Sequence, residues 1–585
     1  MFHVNPELAI DGYKTGHHAA YPEGMTVLYS NMTPRSLKYL KVSKGHDGKV
    51  VVLGLQGFIL DYLVHDWDFN FFSRDLEDVL EDYQAEMDEY LGVGVVTTGH
   101  LEALHKLQYL PLLIKALPEG TRIPAKVPFF TIRNTHDDFA WLVNYLETIL
   151  SHENWETPTV ATIAHEYRRI MTKYALLTGT ALDFVAIQGH DFSMRGTTDL
   201  KGAIGHLASF IGTDTIPAIK YIKRFYGSEG LIGCSVPASE HSVACCNIAD
   251  IESRQILTPE ESAEGLGKYF AERDFFQRYI SEIYPSGVCS YVSDTYDFFK
   301  VITDIAAESK DLILARTPNA IGLAKVVFRP DSGHPTKIIC GEWIPEFPTL
   351  EDAQDTIRDE IWEEAGEACE GSHCMGMDTY TRLVQIGPDF YELKYSVEYS
   401  RYDKRYYYVD ELNFEGLKQV VLTPEQKGAV RCLWETFGGT ITETGHKLLH
   451  ERVGLIYGDS ITLEIAAEIL EQLHNMGFAS GNIVFGIGSF TYNMLSRDTL
   501  GTAMKATAAI VNGKFLELYK DPKTDSGVKK SARGLLRVEK TGDTYVLHDQ
   551  QTWEQEAQGE LREVFRDSVA YNTQSWDDVR KRLWG

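Results

Sequence analysis

A chain of 585 residues exceeds what one hydrophobic core organises, and a 44% hydrophobic composition supplies enough apolar side chains for two or more domains. With 84 acidic against 56 basic residues, the formal net charge of -28 excludes a general attraction for nucleic acid or for an anionic membrane surface. An anionic ligand therefore needs a local basic pocket.

Met1 to Lys14 carry Glu7 and Asp11 and no apolar core of signal-peptide length, so export is not expected. The longest apolar run, Val50 to Val64, is interrupted by Gln56 and Asp61 and falls short of the roughly 20 residues of a spanning helix. Eight cysteines without regular spacing suit a reducing compartment, so the expected location is cytoplasmic. Cys369, His373 and Cys374 lie close together, but no fourth ligand at a matching spacing accompanies them and zinc is not expected there.

After residue 180, Val185-Ala186-Ile187, Val326-Val327-Phe328, Leu455-Ile456-Tyr457 and Ile483-Val484-Phe485 are short apolar runs that end at polar or glycine-rich turns. Helical patterns such as Ile461 to Met476 lie between them. Strands alternating with helices predict parallel βαβ units with functional side chains at the carboxyl ends of the strands. Periodicity does not separate a barrel from an open doubly wound sheet. From about Gly341 to Gly445 the chain is acidic over Glu351 to Glu370, then rich in tyrosine over Tyr391 to Tyr408, the pattern of an inserted hairpin or small sheet. That insertion is either a surface elaboration or a lid or oligomer contact near the barrel mouth.

Four segments carry the chemistry: His190-Asp191-Phe192-Ser193-Met194-Arg195-Gly196, Gly212-Thr213-Asp214-Thr215, Ser235-Val236-Pro237-Ala238-Ser239-Glu240-His241-Ser242 and Phe328-Arg329-Pro330-Asp331-Ser332-Gly333. In this order they resemble the nicotinamide phosphoribosyltransferases, type II phosphoribosyltransferases that join nicotinamide to phosphoribosyl pyrophosphate. The resemblance runs from Asp11-Gly12-Tyr13-Lys14 to about Gly534, with one gap between Pro335 and His450. It implies an irregular α/β barrel over about 181–500, with the insertion at 341–445, and a second α/β domain built from residues 1–180 and 501–585. It also implies a homodimer with shared sites, Mg²⁺, ATP as a coupling co-substrate, and a pocket common to ATP and phosphoribosyl pyrophosphate, since no Gly-x-x-x-x-Gly-Lys-Ser/Thr loop is present.

Phosphoribosyl transfer to a pyridine nitrogen needs a slot for the ring, donors for phosphates, a divalent cation and stabilisation of a cationic ribose. Phe192 and Tyr13 are the expected ring sandwich, with Tyr13 coming from the partner subunit by resemblance. Asp214 accepts from a carboxamide NH₂ and repels a carboxylate, so it selects nicotinamide over nicotinate; as a helix N-cap it has an alternative role. Ser235 belongs to the expected substrate contacts through its place in the motif. Arg195 and Arg329 are expected to grip phosphate and ribose oxygens, and Asp331 the ribose hydroxyls or hydrated Mg²⁺. Gly458-Asp459 and Gly486-Ile487-Gly488-Ser489 follow apolar strands and let backbone N–H groups approach a phosphate, although Ile487, Ser489 and Phe490 depart from the family's richer glycine loop. Arg497, Lys505 and Lys529 match positions that bring charge from the partner. His241 matches the family's phosphorylatable histidine, with Asp294 as its expected orienter and a second Mg²⁺ contact. The rivals are a nicotinate or quinolinate phosphoribosyltransferase and a catalytically idle scaffold of the same fold.

Overall fold

In the computed structural model, which describes residues 4–43, 45–320, 322–367, 376–401, 407–458, 460–520 and 532–585, both ends of the chain build one sheet. Its seven strands run in the order Lys514–Glu517, Ala503–Val511, Met25–Thr33, Phe130–Asn134, Leu112–Ala116, Arg562–Arg566 and Val569–Ala570, every neighbouring pair antiparallel. Strand Met25–Thr33 lies inside the sheet, and its five consecutive residues Leu28 to Met32 are buried, as in a strand covered on both faces. The chain divides into two compact units. The first is Met1–Val236, Ile456–Ala467 and Ile483–Gly585; the second is Pro237–Leu455 and Glu468–Asn482.

The first unit also carries parallel strands. Gly189–Asp191 lies between Gly212–Thr213 and Val484–Ile487, with Asp191 opposite both Thr213 and Ile487, and Val484 pairs onward with Ile456. The 23-residue helix Glu156–Thr178 precedes them and is buried along most of its length. An apolar cluster joins Ala161 of that helix to Leu207, Ile222 and the C-terminal helix residues Trp576, Val579 and Leu583. Arg580 of the C-terminal helix donates to the carbonyls of Leu207, Phe210, Leu231 and Ile232.

In the second unit, Val288–Val292 and Lys325–Arg329 pair in parallel, and Val326 to Phe328 continue onto Val453 to Leu455. Strand Val453–Tyr457 pairs through its first three residues with Lys325–Arg329 and through its last two with Val484–Ile487. The α/β class is present, one sheet draws its strands from both chain ends, and the segment between Gly341 and Gly445 carries a sheet of its own; the unit that holds both chain ends also takes in 181–236, 456–467 and 483–500, which the sequence reading gave to the barrel.

The expected strand at Val185-Ala186-Ile187 is instead the end of a helix, Leu182–Gln188, and the strand begins at Gly189. Burial explains the shift: Val185 and Gln188, three apart, are the buried positions, which is a helical spacing. The runs at Val326, Leu455 and Val484 are strands, and Leu463–Asn475 is a helix.

The insertion contains a sheet in the order Glu346–Phe347, Gly376–Ile386, Asp389–Arg401 and Tyr407–Val420. The acidic segment is helix Leu350–Glu367, which buries Ala353, Ile357 and Ile361 against Val384, Leu393, Val397 and Val409 of that sheet. Its ends meet where Glu342 N donates to Gln426 O at 3.0 Å. The following helix Ala429–Phe437 buries Val430, Leu433 and Phe437 beside the helix Pro335–Cys340, so it belongs to the body of the unit. Cys369, His373 and Cys374, with Tyr402 and Tyr406, lie outside the described residues.

Among the described residues no helix is long and apolar enough to cross a membrane.

Candidate active site

The turn after Gly189–Asp191 is organised by a buried carboxylate. Asp191 Oδ1 accepts from Ser193 N at 3.0 Å and Ser193 Oγ at 2.6 Å, and Oδ2 accepts from Thr213 Oγ1 at 2.8 Å and Thr215 Oγ1 at 2.6 Å. A fully buried carboxylate holding four donors fixes both turns that leave the paired strands. Asp214 N donates to Asp191 O at 3.0 Å, which turns the Asp214 side chain the other way.

The Asp214 carboxylate is 47% exposed, and its Oδ1 accepts from Ser235 Oγ at 2.5 Å and faces His190 Nε2 at 3.0 Å. Helix Ile216–Phe225 has Thr215 at its N-cap position with no side-chain cap bond, so Asp214 stands one residue outside the cap. Gly212 is required by close approach: a Cβ there would lie 2.8 Å from Gly189 O and 2.9 Å from His190 Nδ1.

Phe192 is half-buried, its N donates to Ile487 O at 3.0 Å, and its ring centroid lies 4.6 Å from that of His190 at 37°. Arg195 is exposed on the 3-10 turn Met194–Gly196, and Asn493 Nδ2 donates to Gly196 O at 2.8 Å. Gly486 lets the two glycine turns touch, since a Cβ on it would lie 2.5 Å from Tyr457 O and 2.6 Å from Gly458 C. Gly488 is buried just beyond, before the short helix Ser489–Asn493. The first unit thus brings Phe192, Arg195, Asp214, Ser235, Gly458 and Gly488 onto neighbouring strand ends.

The sequence-predicted charges from the chain ends are also gathered. Lys505 sits half-buried on strand Ala503–Val511, and its ammonium is pulled below the usual lysine range first by burial, then by the charges of Arg35, Lys520 and Arg497, against Glu147. The sequence did not single out Arg35 and Lys520, because isolated basic residues have no local pattern. Lys529 and Asp459 lie outside the described residues.

Tyr13 is 65% exposed, and its ring lies 5.5 Å from that of His17 between centroids and 5.2 Å from Lys14 Nζ. No ring contact with Phe192 occurs within one chain among the described residues. The Tyr13 turn is pinned by a bond from Asp11 N to Thr148 Oγ1 at 3.1 Å and by a Lys14–Glu147 pair at 2.9 Å.

In the second unit the segment before His241 is stitched along strand Val288–Val292. Ser290 N donates to Pro237 O at 2.8 Å, Ser239 N donates to Ser290 O at 3.0 Å, and Val292 N donates to Ser239 Oγ at 2.8 Å. This delivers His241 to the first position of helix His241–Arg254, 47% exposed, with Nε2 3.1 Å from Asp294 Oδ1. Asp294, 6% exposed, also accepts at Oδ2 from Asp331 N at 2.8 Å and Ser332 Oγ at 2.6 Å. Arg329 Nε lies 3.3 Å from Asp331 Oδ1, and Arg329 N donates to Ser293 Oγ at 3.2 Å. One carboxylate therefore ties His241 to the Arg329–Ser332 turn.

Sequence reasoning missed Glu272 of helix Gly267–Arg278. Burial, with Asp297 and Asp294 adding like charge, pushes its carboxyl up to about 8. Among the described residues, no group of three or more His, Cys, Asp or Glu side chains is arranged to hold a metal ion by itself.

The chain belongs to the nicotinate phosphoribosyltransferase (NAPRTase) family, whose model matches residues 187–366 and 395–569. A nicotinamide phosphoribosyltransferase of Acinetobacter baylyi is 45% identical over 586 residues, covering 100% of this chain and 97% of that one. A nicotinamide phosphoribosyltransferase of Mycoplasma pneumoniae is 28% identical, covering 89% of this chain and 93% of that one. The solved structure of human nicotinic acid phosphoribosyltransferase aligns with a TM-score of 0.46 at 14% identity, covering 98% of this chain and 92% of that one.

Proposed function

We propose that the protein transfers the phosphoribosyl group of phosphoribosyl pyrophosphate to nicotinamide, giving nicotinamide mononucleotide and pyrophosphate, a step of NAD salvage. The observation that carries this reading is the half-exposed carboxylate of Asp214, held by His190 and Ser235 and standing outside the helix cap. A carboxylate there accepts from a carboxamide and repels nicotinate. The full-length relatives named for nicotinamide, one of them 45% identical, support the same choice.

The ring nitrogen of nicotinamide attacks the anomeric carbon of the ribose as the bond to pyrophosphate breaks, and Phe192 stacks on the ring while Arg195, Arg329 and the backbone at Gly458 and Gly488 meet phosphate and ribose oxygens. Mg²⁺ takes most of its ligands from water and substrate phosphates, so the two carboxylates of Asp294 and Asp331 fit the few protein oxygens it requires, and when bound it neutralises the leaving pyrophosphate.

ATP stimulation belongs to the same proposal. His241 Nε2–H donating to Asp294 leaves Nδ1 as the nucleophile, at the start of a 14-residue helix whose terminus favours anions. Attack on the terminal phosphoryl group of ATP gives phosphohistidine and ADP, and later hydrolysis returns His241 and phosphate. A homodimer is proposed because Tyr13 presents an open ring, with Val93 and Val95 exposed nearby in sequence to Tyr90, whose ring packs on Gly12.

The test is product analysis after incubation with phosphoribosyl pyrophosphate, Mg²⁺ and either nicotinamide or nicotinate, with and without ATP. Nicotinamide mononucleotide as the preferred product supports the reading. Preferred use of nicotinate, or no product from either base, rejects it.

A further inference from the structure

The turn that presents Tyr13 is too short to hold itself. It is a three-residue 3-10 turn, Gly12–Lys14, closed by Lys14 N donating to Asp11 O at 2.9 Å and Thr15 N to Gly12 O at 3.3 Å. Asp11 stands at its N-cap position, where an aspartate ordinarily accepts from the turn's own N–H groups, yet its side chain makes no cap bond. The carboxylate is turned instead to Thr148, 137 residues further on: Thr148 Oγ1 donates to Asp11 Oδ2 at 2.8 Å and accepts from Asp11 N at 3.1 Å. Two bonds between one hydroxyl and one residue fix orientation as well as distance.

Lys14 closes the other end of the turn. Its side chain is 3% exposed and Nζ lies 2.9 Å from Glu147 Oε2, so a buried cation is tied to the residue preceding Thr148. Glu147 and Thr148 open helix Glu147–Glu153, whose Leu150 is fully buried and which packs on strand Ala503–Val511, the strand of Lys505. Between the two anchors Gly12 lies under the ring of Tyr90, since a Cβ there would lie 2.3 Å from Tyr90 Oη. The backbone is thus fixed at both ends while the ring of Tyr13 stays 65% exposed, open to a ligand.

We propose that Thr148 is a positioning residue for the pyridine substrate: together with the Glu147–Lys14 pair, its hydroxyl holds the turn from Asp11 to Lys14 in the orientation from which Tyr13 meets the base. The inference rests on the reading that Tyr13 forms one side of the ring sandwich. Thr148 touches no reacting atom. Its hydroxyl orders the turn before the base arrives, so that stacking on the ring does not have to order it at the moment of binding. Loss of that order lowers affinity for the base, whereas the ring nitrogen, once bound against Phe192, attacks the ribose as before. The effect therefore falls on KM for nicotinamide rather than on kcat, and it passes through Tyr13.

The test measures KM and kcat for nicotinamide, at saturating phosphoribosyl pyrophosphate and Mg²⁺, in the wild type, Thr148→Val, Thr148→Ser, Tyr13→Ala and the double variant Tyr13→Ala with Thr148→Val. Thr148→Val keeps the shape and removes the hydroxyl, and KM is expected to rise about fivefold with kcat held within about twofold. Thr148→Ser restores the hydroxyl and is expected to bring KM back to within about twofold of the wild type. In the Tyr13→Ala background, Thr148→Val is expected to change KM by less than about twofold, because the ring it positions is gone. A KM unchanged by Thr148→Val, no recovery in Thr148→Ser, or an equal rise with and without Tyr13 overturns the positioning role and leaves nicotinamide transfer standing. If Thr148→Val does not fold, Thr148→Ala carries the same comparison. A Tyr13→Ala protein with the wild-type KM for nicotinamide overturns the reading of Tyr13 and this inference with it.

Discussion

Two strand-end turns, one in each unit, are both built on an aspartate, and they use it in opposite ways. Asp191 is fully buried and takes all four of its donors from Ser193, Thr213 and Thr215 within its own turns. Asp294 makes three contacts, of which one is to the exposed ring of His241 and two are to the turn at Asp331 and Ser332. The first carboxylate is scaffold, and the half-exposed carboxylate beside it in the fold is that of Asp214, whose N donates to Asp191 O. The second is itself one bond from the exposed ring of His241, and its charge helps keep the nearby Glu272 carboxyl protonated. A saturated carboxylate sets geometry, whereas one shared with exposed partners couples them.

The largest expected effect tests the scaffold. Asp191→Ala strands buried hydroxyl and amide donors and should destabilise the fold by about 3–5 kcal/mol, read as a lower urea midpoint at unchanged slope. A loss below about 1 kcal/mol would show that the turns hold without it.

The electrostatic load on the second turn should appear in the pH dependence of stability, measured without Mg²⁺. Glu272 has a folded-state value of about 8, above the 4.5 of a free carboxyl, so folding takes up a proton between those values and stability falls as pH rises from about 4.5 to 8. Glu272→Gln removes the cost. It should match the parent at pH 4.5 and exceed it by at least about 2 kcal/mol at pH 9; equal curves would mean that Glu272 ionises freely in the fold.

Asp214→Ser leaves the turn folded and should weaken nicotinamide use by about 1–3 kcal/mol in kcat/KM while lessening the rejection of nicotinate. An unchanged ratio of the two bases would make Asp214 a structural partner of His190 and Ser235 alone. His241→Ala should change stability by no more than about 0.5 kcal/mol, as expected for an exposed side chain. It should nevertheless abolish ATP hydrolysis and ATP stimulation and keep slow synthesis. Retained ATP hydrolysis, or a phosphohistidine mapped elsewhere, would remove His241 from the coupling role.

The smallest effect is expected from the insertion. Replacing 343–425 by a short Gly-Ser bridge joins ends already hydrogen-bonded through Glu342 and Gln426, so the truncated protein should stay folded and keep basal transfer, since loop-closure entropy changes slowly with length. Carrying the cut to Gly445 removes the buried helix Ala429–Phe437 and should give insoluble protein. If the shorter excision also fails to fold, the inserted sheet supports the unit and is not an elaboration of its surface.

Much of this was legible in the chain. The apolar runs at Val326, Leu455 and Val484, each ending in a turn, announced strands with functional residues at their ends, because a short buried parallel strand needs only a few consecutive apolar residues. The tyrosine-rich stretch announced an inserted sheet, because alternation survives as a local pattern. The run at Val185 misled, since three apolar residues fit one turn of helix as well as a strand, and burial on one side decided.

By itself, then, the sequence determined the α/β class, the motifs that align Phe192, Asp214, His241 and Asp331 with a transferase family, and the existence of the insertion. These are recorded in local order and residue type. Tertiary structure alone decided that Asp191 is scaffold while Asp214 faces outward, that His190 and Ser235 share one carboxylate oxygen, that Asp294 links His241 to the Asp331 turn, and that the insertion closes at Gln426 rather than at Gly445. Each of those depends on hydrogen bonds between residues far apart in the chain, and which donor reaches which acceptor is set only when strands pair and side chains are buried together.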